Sequence, residues 1–196
     1  MTDLSLGAVT FRSDTVPGAA LGASAQRPLD KRLVHKSYDE NVLVSHIEAV
    51  PSPVHPEQGA DSSSGRTDHF RGIVCVHPDH KFFFEHDGGH VSGLYLIEAA
   101  RQMSVAITHV FYNVPLDIEF VMTECSAQFR NVANRDDPLL AQQTTSGHAY
   151  RKGRLVSMHS EIVIRQRGLE IARLSGTMIL LNKHQLQYLE QRGGNG

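Results

Sequence analysis

Residues 93–112, GLYLIEAARQMSVAITHVFY, constrain the fold more than any other part of the chain. Leu94, Ile97, Ala100, Ser104, Ile107 and Phe111 recur at helical spacing, and Leu96, Ala99, Met103, Ala106 and Val110 trace an adjacent face. A surface helix carries one apolar stripe, whereas this one is apolar over most of its circumference and has to be wrapped by other structure. What remains is a narrow polar strip of Glu98, Arg101, Gln102, Thr108 and His109. Asn113-Val114-Pro115 ends the element.

The wrapping material reads as strands. NVLVSHIEAV and HFRGIVCV precede the helix, and IEFVMTECSAQFRNV, PLLAQQTTSGHAYRKG, RLVSMHSEIVIRQRG and LEIARLSGTMILL follow it. Short turn signals at 134–138, 151–153 and 167–168 separate the last four, which indicates an antiparallel meander. The expected architecture is α+β, a curved antiparallel sheet wrapped around one long central helix. The expected organisation is a Gly/Ala/Ser/Thr-rich N-terminal arm over 1–30, one domain over 31–182, and a short C-terminal helix and tail over 183–196. The polar segment 51–68 is the longest internal loop.

Composition removes several function classes. Nineteen Lys and Arg against twenty-one Asp and Glu leave a net charge of -2 with no basic patch, so no nucleic-acid partner is expected. Apolar runs stay well below the roughly 18 residues of a membrane span, and the N-terminus lacks a basic and apolar leader, so a cytoplasmic protein without a membrane partner is expected. Cys75 and Cys125 lack CxxC spacing and read as buried, reduced packing residues on strands.

Twelve histidines and no tryptophan are the one compositional oddity. Four of them, His77, His80, His86 and His90, fall in VHPDHKFFFEHDGGH, directly before the apolar helix. HDGGH puts two imidazoles four residues apart, but its two glycines oppose the helix that such spacing needs for a metal, and no metal or other cofactor is expected. Glu98, one and a half turns into the helix, is a carboxylate on an otherwise apolar element. It is either paired with Arg101 or a loop amide, or used as a general acid or base whose pKa burial lifts toward neutrality. Gly88, Gly89 and Gly93 suit a backbone that approaches a ligand, and the helix start offers free N–H groups to a polarised carbonyl. These parts suit acyl-thioester or enol chemistry.

The run EHDGGHVSGLYLIEAARQ resembles the hallmark of the A-factor biosynthesis (AfsA-like) hotdog family, approximately D-H-x-x-D-H-V-P-G followed by L-L-x-E-A-x-R-Q. His86, His90, Val91, Gly93, Glu98, Ala99, Arg101 and Gln102 stand where that pattern has them, while Ser92 replaces its proline and Gly89 its second aspartate. LVHKSYDENVLVS and VPLDIEFVMTECSAQFRNV are similar to the family's opening segment and to the strand after its helix, so the resemblance covers about 31 to 182. More distantly, Gly93 and Glu98 keep the spacing of 3-hydroxyacyl-carrier-protein dehydratases, whose catalytic histidine falls at Phe84 here.

The resemblance implies a hotdog fold, and, because the chain has room for one of the two repeats usual in the family, a homodimer with the acyl tunnel between subunits. It implies transfer of a 3-oxoacyl group from acyl carrier protein, or from a CoA thioester, to a small hydroxylated acceptor such as dihydroxyacetone phosphate, in γ-butyrolactone or butenolide synthesis. The catalytic set is then Glu98, His90 and His86, with Arg101, Gln102, Gly93, Gly89 and Phe84 around the substrate. The rival readings are a 3-hydroxyacyl-thioester dehydratase, a thioesterase, and a non-catalytic subunit that binds an acyl chain or its carrier.

Overall fold

The computed structural model describes residues 27–51, 66–84 and 88–193. Most of the expected arm and most of the 51–68 loop lie outside that range. The apolar run forms helix α1, Gly93–Phe111, capped by the Ser92 hydroxyl, which accepts the Tyr95 amide at 3.2 Å. It stops where Asn113 turns left-handed (φ 53°) and the amides of Tyr112 and Val114 both donate to the Thr108 carbonyl. Twelve of its nineteen residues are buried, as an all-round apolar helix requires.

Six strands surround it: β1 Val44–Val50, β2 Asp68–Val74, β3 Glu119–Phe129, β4 Leu139–Arg151, β5 Arg154–Gln166 and β6 Leu169–Leu181. They make one sheet in the order β1-β2-β4-β5-β6-β3, antiparallel at every pairing. Two-residue turns join β4 to β5 at Lys152-Gly153 and β5 to β6 at Arg167-Gly168, with positive φ at all four residues, as type I′ hairpins demand. A second helix, α2 (Lys183–Gly193), follows β6. This is the hotdog arrangement. Its core sets Tyr95, Leu96, Ala99, Met103 and Ile107 of α1 against Phe70, Leu139, Ala141, Ile162 and Leu174 of the sheet.

The sheet curves around the helix through a device repeated at both edges. β1 bulges between Val44 and His46, and β3 between Met122 and Glu124. Opposite each bulge the inner strand carries a glycine. A Cβ on Gly72 would lie 2.7 Å from the His46 carbonyl oxygen, and one on Gly176 would lie 2.8 Å from that of Glu124.

The sheet covers only one side of α1. The other side is closed by a strap, residues 29–43, that folds as two short 3-10 turns, Lys31–Val34 and Asp39–Asn41. Val34 and Val42 pack on Ala106 with Leu29, Leu33 and Ile47 around them. The Leu29 amide donates to the Val44 carbonyl at 2.8 Å, tying the start of the strap to β1.

Gly72→Ala and Gly176→Ala are each expected to destabilise the fold by about 1–3 kcal/mol, because the clashing atom is backbone and cannot rotate away. Urea denaturation measures this; a midpoint unchanged in both variants would contradict the assigned role of the paired bulges.

Candidate active site

The polar strip of α1 is the seam on which the strap docks. Arg101 donates from Nη2 to the Val34 carbonyl at 3.2 Å. Gln102 accepts the Leu43 amide on Oε1 and donates from Nε2 to the Asn41 carbonyl, both at 2.8 Å. His109 gives its Nδ1 proton to the Val114 carbonyl (2.8 Å), which leaves its Nε2 to accept from His35 Nε2 at 2.9 Å. Burial, and then the facing His109, push His35 below the usual histidine range.

Glu98 sits at the charged end of this seam. Arg101 grips it as a fork, Nε on Oε2 and Nη2 on Oε1, each at 2.8 Å. Lys36 of the strap lies 2.8 Å from Oε1, and Gln102 donates to the same oxygen at 2.9 Å. The side chains of Glu98, Arg101 and Lys36 keep 20%, 28% and 27% of their exposure, so the cluster is partly open to solvent. Burial alone would raise the Glu98 pKa toward neutrality. The hydrogen bonds and charges of Arg101, Lys36 and Gln102 outweigh it and hold the carboxyl down at about 2. Of the two readings open for Glu98, the pair with Arg101 is the one formed, and the raised pKa of the other is absent because a second cation, Lys36, joins from 62 residues away in sequence.

Arg101 also lines an open cleft of about 40 Å3 between α1 and the β5-β6-β3 side of the sheet, with the exposed Met122 and Cys125 at its rim. The cleft exists because a row of small residues crosses the sheet beneath the helix: Thr145, Ser160, Gly176 and Cys125 stand in register on β4, β5, β6 and β3. Its walls are mainly apolar, with Ile97, Ala100, Ile162, Leu174 and Met178 among them. Four hydroxyl residues, Ser104, Ser160, Ser175 and Thr177, interrupt them. Ser104 donates to buried Gln143 at 3.2 Å, and Gln143 donates to Ser160 at 3.0 Å, a polar chain from helix to sheet.

The residues singled out from sequence are thus only partly brought together. Glu98, Arg101 and Gln102 form one cluster, but Gln102 is fully buried with its amide committed on both sides, so it positions Glu98 rather than touching a ligand. His90 is exposed in a bridge to Asn134 and is not among the partners of Glu98. His86 lies outside the described residues. Gly89 is exposed with open space around it, whereas Gly93 admits the Phe129 ring, which a Cβ would meet at 2.9 Å. Phe84 packs against the Tyr95 ring at 5.5 Å and under the Arg135 guanidinium at 4.3 Å, a structural placement. His77 and His80 hold the strap, through the Val42 carbonyl and the Asn41 side chain, both at 2.9 Å. Among the described residues no three His, Cys, Asp or Glu side chains converge as a metal site, and no helix is long and apolar enough to cross a membrane. Cys75 is half-buried, but Cys125 is exposed and not a packing residue, because β3 is an edge strand.

Lys36 is the site residue that sequence reasoning missed, and no local pattern marks it. Gln143 and Ser160 were in principle accessible: alternation along β4 turns Leu139, Ala141, Gln143 and Thr145 to one face, so a glutamine had to be buried.

This architecture and site coincide with a family match. The model of the A-factor biosynthesis hotdog domain matches residues 20–182, and the chain belongs to that family. Among solved structures, a candidate thioesterase from Lactococcus lactis is similar at 10% identity and a TM-score of 0.51, covering 72% of this chain and 94% of that one. A hypothetical thioesterase from Streptococcus pneumoniae, solved with coenzyme A, shares 16% identity at a TM-score of 0.40 over 70% and 87% of the two chains. The 1,4-dihydroxy-2-naphthoyl-CoA thioesterase of Synechocystis shares 16% at 0.45, over 59% and 83%. At 10% identity the Lactococcus lactis likeness shows the fold alone. No curated protein matches the chain.

The ion cluster gives stability a defined acid limb. Glu98 is held well below its unfolded pKa, so its contribution is complete above about pH 4.5 and is lost as pH falls toward 2. Glu98→Gln should flatten that limb and, by leaving Lys36 and Arg101 without their carboxylate, cost about 1–3 kcal/mol at neutral pH. Urea midpoints across pH 2–7 report both; an acid limb of equal depth in wild type and variant would overturn the assignment.

Proposed function

We propose that this protein processes acyl thioesters, transferring a 3-oxoacyl group from acyl carrier protein or a CoA thioester to a hydroxylated acceptor such as dihydroxyacetone phosphate, in γ-butyrolactone or butenolide synthesis. The observation that carries the reading is that Arg101 belongs at once to the charged cluster and to the wall of the apolar cleft. An acyl chain in the cleft places its polar end beside a carboxylate and two cations. Family membership supports the acyl-thioester class.

In this reading Glu98 takes the proton of the attacking hydroxyl as its oxygen bonds to the thioester carbonyl carbon. The carbon–sulfur bond then breaks, and the departing thiolate recovers that proton. Ser92 takes the Tyr95 amide and leaves those of Gly93 and Leu94 to hold the oxyanion. Arg101 receives the anionic end of a substrate, and His90 and His86 orient the acceptor from the loop before α1. Two copies of the chain pair, standing in for the two repeats usual in the family.

One observation favours a rival reading, acyl or carrier binding without conversion: three donors already occupy Glu98 Oε1 and weaken it as a base. The readings separate by products. Mixed with 3-oxoacyl thioester, the protein is expected to release thiol only when a hydroxylated acceptor is present, giving an ester by mass spectrometry, and Glu98→Gln should lower kcat at least 100-fold. Thiol release without acceptor indicates a thioesterase, an enoyl product a dehydratase, and tight binding without any product the non-catalytic subunit; full turnover by Glu98→Gln removes Glu98 from the chemistry.

A further inference from the structure

Lys36 and Arg101 bring two positive charges to the single negative charge of Glu98, leaving one in excess. Of the strap's acids, Asp39 pairs with Lys31 and Asp30 with Arg32, and Glu40 makes no ion pair with either cation. Donors are also in excess. Arg101 spends Nε and Nη2 on Glu98 and Val34, and its Nη1 has no partner among the described residues. The Lys36 ammonium has three protons, and its one acidic partner among the described residues is Glu98. Both cations are about a quarter exposed, so a solvent-borne ion reaches them without unfolding the strap.

We propose that Lys36 and Arg101 form a subsite for a phosphoryl oxyanion of the ligand, and that filling it draws Lys36 off Glu98 and so frees this carboxylate to accept a proton. The acyl-transfer reading above supplies the context for the freed base, while binding of the anion stands on the charges alone. A phosphoryl group suits the donors because its tetrahedral oxygens accept from a guanidinium and an ammonium at once, and a monoester, as a dianion, outcharges the carboxylate while a diester matches its single charge. Removing a cation from Glu98 and placing a second anion beside it act in the same direction, since each makes the carboxylate hold a proton more strongly. The ligand therefore strengthens the base it needs, and the unoccupied site keeps that base paired. Lys36 is a binding and positioning residue in this scheme. The phosphoryl group comes from a monoester on the acceptor or from the diester linking pantetheine to its carrier.

The test uses the full chain with methyl phosphate as the monoester and dimethyl phosphate as the diester, read by NMR on protein carrying 13C-labelled glutamate. Saturable binding is expected, with Kd raised at least tenfold in Lys36→Met and returned toward wild type in Lys36→Arg. The Glu98 carboxyl resonance should titrate at higher pH when the ligand is saturating. Preference for methyl phosphate assigns the site to the acceptor, and equal or better binding of dimethyl phosphate assigns it to the carrier. Absence of saturable binding, an unchanged Kd in Lys36→Met, or a Glu98 midpoint unmoved by ligand each overturns the proposal. If Lys36→Met does not fold, Lys36→Arg and the wild-type carboxyl titration decide alone. Failure here leaves acyl transfer open, because that reaction is scored separately by ester formation with unphosphorylated acceptors.

Discussion

The structure depends on how a helix that is apolar nearly all round keeps its few polar groups satisfied. The sheet solves half of the problem by curving over one side of α1, helped by a glycine opposite the bulge at each edge. The strap solves the other half. Its backbone amide at Leu43 and its carbonyls at Val34 and Asn41 meet Arg101 and Gln102, and its side chains Lys36 and His35 meet Glu98 and His109. Without the strap these groups would line a helix face whose apolar neighbours also need cover, and desolvated polar atoms would go unpaired.

The same seam carries the proposed chemistry. A carboxylate buried alone would be protonated near neutrality; one held by two cations and an amide is ionised and localised. Because Arg101 belongs to both the seam and the cleft, it joins the ion cluster that fastens the strap to the apolar wall. Structure and reaction therefore compete for the same lone pairs on Glu98, and the exchange of Lys36 between carboxylate and phosphoryl group is one way in which that competition is resolved.

Much of this was legible in the sequence, for identifiable reasons. Helical periodicity located α1 over nearly its true length, turn residues located the hairpins of β4, β5 and β6, and all-round apolarity required a wrapped helix. The EAARQ motif picked out Glu98, Arg101 and Gln102, which lie on one face because they are three and four residues apart. The strap was not legible, since short 3-10 turns have no period to detect. Lys36 escaped with it, because an ion pair spanning 62 positions leaves no local trace, and without Lys36 the two readings of Glu98 stay open. The histidine run divides: His77 and His80 fasten the strap, and His90 is exposed beyond Phe84.

The central claim is that the acyl chain lies in the cleft under α1, with its polar end at Arg101 and Glu98. Cys125 is a free, exposed thiol on the rim of that cleft, and half-buried Cys75, which does not line it, serves as an internal control. Alkylation of both thiols can be followed by mass spectrometry with and without a saturating, non-cleavable 3-oxoacyl thioether analogue. The account requires Cys125 to react at least tenfold more slowly in the presence of the analogue while Cys75 is unaffected; an unchanged Cys125 rate with the analogue demonstrably bound would place the acyl chain elsewhere and contradict it.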